Sequence, residues 1–229
     1  MPLLILLRHG QSIWNQENRF TGWIDVPLSA KGQQEALLAG RNLKSAGFRP
    51  DFCFTSYLKR AVKTLCLVLE EMDLLWLPVH KTWRLNERHY GTLQGLNKQD
   101  TVAEYGLEQV QQWRRSFKTI PPALDRNDPA NPAQDPRYAA LKETPAAESL
   151  EMTIQRVLPV WKSSMAPLVA HGHNLLICAH GNSLRGLLMH LKGISETEIV
   201  NFELPTGLPL ILEMDEQCQM QGSFFLDQA

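Results

Sequence analysis

Two apolar runs in this chain end in the same dipeptide. Leu3-Leu4-Ile5-Leu6-Leu7 leads into Arg8-His9-Gly10, and Leu175-Leu176-Ile177-Cys178-Ala179 leads into His180-Gly181-Asn182. Continuous apolar runs of about five residues suit strands buried on both faces of a parallel sheet. The glycine after each histidine lets the backbone turn sharply and pass close to a ligand. In open α/β sheets ligands lie beyond the carboxyl ends of the strands. If the two strands are neighbours, His9 and His180 face each other across one pocket.

The rest of the pattern alternates strands and helices. Ser29 begins a helix that ends near Gly47, Asp51–Phe54 is a short strand, and Ser56 caps a helix running to about Asp73. Val79–Trp83 reads as a strand, Leu85–Asn97 as a charged, Gly-containing loop, and Lys98–Tyr105 and Leu107–Phe117 as two helices. Residues 119–147 are irregular and proline-rich, which predicts a packed insertion bordering the site. A helix over Leu150–Val169, a strand over Asn174–Ala179, a helix over Ser183–Lys192, an edge strand near Leu208–Met214 and a last strand near Phe224 complete the reading. This order predicts one α/β domain over residues 1–229, a three-layer sandwich whose mostly parallel sheet has helices on both faces.

A chain of 229 residues that is 44% hydrophobic can bury one sizeable core. Its net charge of −1 argues against a nucleic-acid or membrane partner, so any anion site must be built locally from clustered Arg and Lys. No apolar stretch is long enough to cross a bilayer, and the N-terminal one is too short for a signal-peptide core. Cys53, Cys66, Cys178 and Cys218 form no C-x-x-C pair and read as buried free thiols, which favours the cytoplasm.

The strand ends collect Arg8, His9 and His180, with Lys59 and Arg60 at the start of the Ser56-capped helix. Arginines pair phosphate oxygens in a bidentate fork, and a helix N-terminus adds positive potential. A histidine accepts a phosphoryl group when one ring nitrogen is neutral and aimed at phosphorus, and nearby arginines keep it neutral. A metal site needs three or more ligands, and no Asp or Glu lies near either His-Gly. His171-x-His173 reads as a solvated turn. Transfer to a hydroxyl also needs a general acid–base group, and Glu87 in Glu87-Arg88-His89-Tyr90-Gly91 is a carboxylate available for it. Trp113-Arg114-Arg115 and Lys98 offer a second anion subsite.

Together these segments resemble the 2,3-bisphosphoglycerate-dependent phosphoglycerate mutases of the histidine phosphatase superfamily. The resemblance runs through Arg8-His9-Gly10-Gln11-Ser12, Asn15, Arg19-Phe20-Thr21-Gly22-Trp23, Thr55-Ser56-Tyr57-Leu58-Lys59-Arg60-Ala61 and Leu85-Asn86-Glu87-Arg88-His89-Tyr90-Gly91. It continues through Leu93-Gln94-Gly95-Leu96-Asn97-Lys98, Gln112-Trp113-Arg114-Arg115, Asp135-Pro136-Arg137-Tyr138, Glu148-Ser149-Leu150, Ala179-His180-Gly181-Asn182-Ser183-Leu184-Arg185 and Pro205-Thr206-Gly207-Leu208-Pro209-Leu210. It implies His9 as the phosphorylated nucleophile, with Arg8, Arg60 and His180 stabilising the transferring group, Asn15, Gly181 and Asn182 contacting it, and Glu87 exchanging the proton. It implies Thr21, Gly22, Arg88, Tyr90, Lys98, Arg114 and Arg115 as the substrate-binding set. By the same resemblance the enzyme needs no metal, is primed by 2,3-bisphosphoglycerate, works on 3- and 2-phosphoglycerate in glycolysis and gluconeogenesis, and forms a homodimer.

Position 11 is Gln where many of these mutases have Glu, and little change in chemistry is expected from it. The chain ends at Ala229, short of the Lys- and Ala-rich tail of long mutases. That leads to the expectation of raised bisphosphatase leakage, with residues 119–147 and the chain's end as lid. The alternatives are a phosphatase of the same superfamily and a phosphate-binding module without catalysis. The first usually lacks the Glu87-Arg88-His89-Tyr90-Gly91 and Trp113-Arg114-Arg115 blocks, and the second would lose His9 or Glu87.

Overall fold

A computed structural model describes residues 1–227. The first strand, β1 (Leu3–Arg8), sends alternate side chains to two cores, because successive residues of a strand point to opposite faces. Leu4 and Leu6 enter one apolar cluster, and Ile5 and Leu7 the other. Next come a short helix α1 (Ile13–Gln16) capped by Ser12, and α2 (Ala30–Ser45), whose cap Ser29 accepts the Gly32 N–H at 3.1 Å. The chain continues through β2 (Phe52–Thr55), α3 (Lys59–Glu71), β3 (Val79–Lys81), α4 (Lys98–Tyr105) and α5 (Leu107–Arg115). It closes with α6 (Leu150–Val160), α7 (Ala166–Ala170), β4 (Leu175–Ala179), α8 (Gly181–Lys192), α9 (Glu196–Ile199), β5 (Pro209–Met214) and β6 (Met220–Phe225).

The six strands form one sheet in the order β3-β2-β4-β1-β5-β6. β3, β2, β4 and β1 run parallel, and β5 is antiparallel to both β1 and β6. On one face α2 and α3 pack with Ala39, Leu43, Leu65, Val68 and Leu69 on Ile5, Leu7, Cys53, Leu176 and Cys178. On the other face α6 and α8 supply Val157, Leu184, Leu187 and Leu188 against Leu4, Leu6, Leu175, Ile177 and Leu210. The sandwich with a mostly parallel sheet is therefore observed. β1 and β4 are direct neighbours, with Arg8 opposite Ala179.

Several local expectations are corrected. Ser56 does not cap α3: that helix starts at Lys59, and its first N–H is taken by Asp25 Oδ1 at 2.7 Å from a distant loop. β3 stops at Lys81 because Thr82 starts a 3-10 turn over Trp83–Leu85. The single helix expected over Leu150–Val169 is broken by a π-helical turn at Trp161–Met165, flanked by Pro159 and Pro167, which lack the N–H a regular ladder needs. β5 is an interior strand, and β6 forms that edge of the sheet. Cys53 and Cys178 are buried, but Cys66 is exposed and Cys218 half-buried.

The start of α2 lies directly against the backbone that follows His9. A Cβ on Gly32 would stand 2.0 Å from the Gln11 carbonyl oxygen, and one on Gly10 would stand 2.1 Å from the Gly32 carbonyl oxygen. Gly→Ala inside a helix ordinarily stabilises by about 1 kcal/mol. Here overpacking of roughly 1–3 kcal/mol works against it. Gly32→Ala is expected to lower the midpoint of thermal unfolding by several degrees, since ~1 kcal/mol shifts a domain of this size by about 2–4 °C. An unchanged or raised midpoint in a calorimetric scan would show that the helix can withdraw without cost.

Candidate active site

The parallel pairing of β1 and β4 continues one residue past β1, where the His9 N–H donates to the Ala179 carbonyl at 3.0 Å. It thereby sets the two imidazoles edge to face, with ring centres 4.9 Å apart. His9 is buried, and its Nδ1 lies 2.7 Å from the Gly10 carbonyl oxygen. A carbonyl only accepts, so Nδ1 carries the proton and Nε2 keeps its lone pair, which accepts from Arg60 Nε. Arg60, in the first turn of α3, places Nε 3.3 Å from that Nε2, while its other nitrogens bond the Ile24 and Gly22 carbonyls. Burial, followed by the charges of Arg60 and Arg8, holds His9 well below the usual imidazole range. His9 is neutral at neutral pH. His180 is driven the same way by burial and by Arg60, and its Nε2 pairs with Ser56 Oγ at 2.8 Å. Ser56 thus serves the site rather than a helix end.

Beyond the two histidines opens a cavity of about 260 Å³. Its walls include Arg8, Arg19, Arg60, Lys98, Arg114, Arg115 and Arg185, against only Glu87 and Glu203 as acids. Asn15, Thr21, Gly22, Tyr90, Gly181 and Asn182 also line it. Burial, with neighbouring charges second, lowers the pKa of several of these cations. Burial and then the charges of Arg114, Arg8 and Arg115 bring Lys98 down to about 8, and burial brings Arg60 and Arg185 to about 10. Arg114 is lowered too, first by burial and then by Arg115.

Glu87 projects from the loop after β3. Its Oε1 accepts three N–H bonds: from the Arg88 amide at 2.8 Å, the Asn182 amide at 3.1 Å and Asn182 Nδ2 at 2.9 Å. The Asn182 amide belongs to the first turn of α8, where a carboxylate is favoured by the helix dipole. The loop itself is clamped from below. Arg156 of α6 is buried and forms a two-pronged ion pair with Glu148, at 2.6 and 2.9 Å. It also donates to the carbonyls of Arg84, Asn86 and Glu87. Glu148 in turn accepts the His89 N–H at 2.8 Å, and Trp23 Nε1 donates to the Glu87 carbonyl.

One feature sets this region apart. The buried side-chain nitrogen and oxygen atoms without a hydrogen-bond partner, among the described residues, are Arg8 Nε, Thr21 Oγ1, Arg88 Nε and Nη2, and His180 Nδ1. Buried polar groups are otherwise almost always satisfied. Two of these atoms, Arg8 Nε and Thr21 Oγ1, belong to residues of the cavity wall, where they fit an oxygen-rich anion.

Of the site residues expected from sequence, all but His180 and Arg88 line the cavity. His180 stands behind His9, and Arg88 is fully buried with its guanidinium 4.7 Å from the centre of the Tyr90 ring. Lys59 does not join them: its side chain is exposed and outside the cavity. Residues 119–147 contribute nothing to the cavity wall. They buttress the Glu87 loop instead, through Tyr138, whose hydroxyl accepts from Asn86 Nδ2 at 2.8 Å, and Pro122, whose carbonyl accepts the Thr92 N–H at 2.9 Å. The expected lid function of the chain's end concerns residues that include 228 and 229, outside the described ones. Sequence reasoning missed Arg19, Arg185, Glu203 and the Arg156–Glu148 clamp. Arg185 carried a usable signal, since it lies three residues after Asn182 and so on the same helix face. Glu203, which pairs with Arg115, carried none. Among the described residues no group of three or more His, Cys, Asp or Glu is placed to hold a metal ion, and no helix is long and apolar enough to cross a membrane.

The histidine phosphatase superfamily (branch 1) model matches residues 4–128 and 121–221. A curated 2,3-bisphosphoglycerate-dependent phosphoglycerate mutase from Nitrosococcus oceani is 53% identical over 225 residues, covering 97% of this chain and 94% of its own. Solved structures share the fold at lower identity. A mycobacterial glucosyl-3-phosphoglycerate phosphatase superposes with a TM-score of 0.70 at 22% identity, over 96% of both chains. The α-ribazole phosphatase of Shigella flexneri gives 0.68 at 22%, over 94% of this chain and 92% of its own.

The cation cluster predicts a pH dependence. A bound anion favours charged Lys98 and so raises its depressed pKa, which means binding takes up a proton once the pH exceeds about 8. Sulfate does not titrate in this range. Its affinity, measured by calorimetry, is expected to be level up to about pH 7.5 and to fall by up to about tenfold per pH unit above 8. Lys98→Met should bind more weakly and show a flat profile from pH 7 to about 9, since Arg60 and Arg185 titrate only near 10. A wild-type profile as flat as that of the variant would remove Lys98 from the anion site.

Proposed function

The chain belongs to the histidine phosphatase superfamily, and on that footing we propose that it is a 2,3-bisphosphoglycerate-dependent phosphoglycerate mutase interconverting 3- and 2-phosphoglycerate, a step of glycolysis and gluconeogenesis. Near full-length identity to a curated mutase supports the activity. The observation that carries the reading on this chain's own residues is a cavity beside His9 walled by seven Arg and Lys side chains against two acids, with Arg8 Nε and Thr21 Oγ1 in its wall left unpaired. A ligand with two phosphates and a carboxylate needs such cations on either side of its carbon chain. Arg8, Arg60, Asn15, His180 and the start of α8 would hold the reacting phosphate, and Arg88, Tyr90, Lys98, Arg114 and Arg115, with Thr21 and Gly22, the rest. When bound, 2,3-bisphosphoglycerate supplies the phosphoryl group that charges His9.

His9 works as nucleophile through Nε2, since its tautomer leaves the lone pair there and its depressed basicity keeps it unprotonated. Arg8 and Arg60 neutralise the equatorial oxygens of the group in transfer. Glu87 takes the proton from the substrate hydroxyl as His9 gives up its phosphoryl group, and returns it when the other phosphate is drawn back to His9. The reading includes no metal. We also take residues 1–229 as one domain, because a single sheet gathers every part of the site. Four free cysteines suit a reducing compartment such as the cytoplasm.

The decisive assay is conversion of 3-phosphoglycerate to 2-phosphoglycerate in excess EDTA, with and without catalytic 2,3-bisphosphoglycerate. Turnover should need the bisphosphate and be unaffected by EDTA. His9→Ala should abolish it together with the phosphoenzyme, and Glu87→Gln should slow it by roughly 10²–10⁴ with little loss of substrate binding. Phosphate release without isomerisation would move the chain to the phosphatases.

We further infer a homodimer. Strand β3 is an open edge of the parallel part of the sheet, all three of its residues are exposed, and Trp76 beside it is 73% exposed with Leu75 at 59%. An unpaired edge next to large apolar side chains is an association surface unless something covers it, and a second copy can pair with it about a twofold axis. Light scattering should give twice the 26.0 kDa chain mass, and Trp76→Glu should give the single-chain mass. A wild-type monomer at tens of micromolar would overturn this.

A further inference from the structure

Arg185 lines the active cavity yet is only 6% exposed, and the mechanism above gives it no task. It lies in α8, one helical turn after Asn182. Its Nε and Nη2 both donate to the Ile199 carbonyl of α9, which fixes the guanidinium plane. Its Nη1 donates to Asn182 Oδ1 at 3.2 Å. That contact decides which way the Asn182 amide points. With Oδ1 held by Arg185, Nδ2 must face the other way, and there it donates to Glu87 Oε1 at 2.9 Å and lies 3.2 Å from the Tyr90 hydroxyl. The chain of bonds runs from α9 through Arg185 and Asn182 to the carboxylate, with every donor and acceptor in the only sense their chemistry allows.

We propose that Arg185 is a positioning residue for Glu87: it locks the Asn182 side chain in the orientation that saturates Oε1 and leaves Oε2 as the oxygen that exchanges the proton. The assignment rests on the mutase reading and on Glu87 as its acid–base group. Arg185 also adds charge to the field at that carboxylate. The other charged groups facing Glu87 are Arg60 from α3, Lys98 from α4 and, across Gly181, Arg8 from β1. Lysine carries the charge but not the fork, so it can satisfy Asn182 or the Ile199 carbonyl but not both.

The test compares wild type, Arg185→Gln and Arg185→Lys in two reactions. One is isomerisation of 3-phosphoglycerate. The other is first-turnover release of para-nitrophenolate from para-nitrophenyl phosphate. In the second, the bond from His9 Nε2 to phosphorus forms as the bond from phosphorus to the aryl oxygen breaks. The aryl oxygen leaves as the anion, so no proton is needed from Glu87. Arg185→Gln should lower kcat for isomerisation by about 10–100-fold, the scale of a misplaced catalytic group. The loss should lie mainly in kcat rather than KM, and phenolate release should fall much less than isomerisation. Arg185→Lys should recover kcat for isomerisation in part, and it carries the test if the Gln variant fails to fold. Equal loss in both reactions would make Arg185 a structural residue. A raised KM with kcat intact would make it a substrate contact. Either result overturns the proposal. Wild-type protein that releases phenolate but does not isomerise phosphoglycerate would overturn the mutase reading, and this proposal with it.

Discussion

The site depends on the parallel pairing of β1 with β4. Both strands are buried on both faces, so neither can slip register by one residue without moving its apolar set onto the wrong core. The pairing continues one bond beyond β1, to the His9 amide, and that last bond fixes where the nucleophile stands relative to His180. The Gly10–Gly32 and Gln11–Gly32 approaches then hold the turn after His9 against α2 from the other side. Sheet register, helix packing and nucleophile position are consequently one constraint. A substitution that loosens the turn after His9 is felt both in stability and in the aim of Nε2.

The cavity stores free energy. Arg60, Arg185 and Lys98 all have their acidity raised by burial, and Arg8 Nε and Thr21 Oγ1 in the cavity wall lack partners. Each such group is less comfortable in the folded chain than in water, so the site destabilises the fold that carries it. An anion reverses all of these terms at once, because it pairs the orphaned donors and favours the charged forms. Binding of a multiply charged ligand is therefore coupled to stability. The same cations keep His9 unprotonated, which links ligand recognition to nucleophile activation through one set of charges.

Much of this was legible in the chain because it rests on local pattern. Buried parallel strands are continuous apolar runs, and the two His-Gly junctions announce where those runs must turn. Other features depend on groups distant in sequence. Ser56 reads as a helix cap, but Asp25 takes the first α3 N–H and frees Ser56 to meet His180. The Arg156–Glu148 clamp joins residues that look like an ordinary i, i+8 pair on and before a helix, and only tertiary packing shows them enclosing the Glu87 loop. Residues 119–147 are irregular enough to suggest a lid. Their buried Tyr138, however, stacks near Trp23 and bonds Asn86, so they serve as a foundation for the loop. Cys66 sits in the amphipathic α3, where the period alone leaves its exposure open, and it falls on the solvent side.

Nucleophile and acid–base group are stiffened by different means. His9 is held by the end of a hydrogen-bonded ladder, whereas Glu87 sits in a loop with no ladder and is held by a buried ion pair beneath and three N–H donors at its tip. A buried ion pair gains little net stability over apolar packing, but breaking one partner is costly, so it suits a part that must not move. The three donors also make the two carboxylate oxygens unlike. Oε1 faces three N–H groups, and a proton placed on it would point at another hydrogen. Oε2 has no such donor among the described residues and lies beside Gly181, 3.8 Å from where a Cβ on that glycine would stand. A reaction that runs through two successive phosphoryl transfers asks the same carboxylate to be base and then acid. Confining the proton to Oε2 lets it do both without rotating, which is why the fixed geometry of Oε1 matters as much as the reach of Oε2.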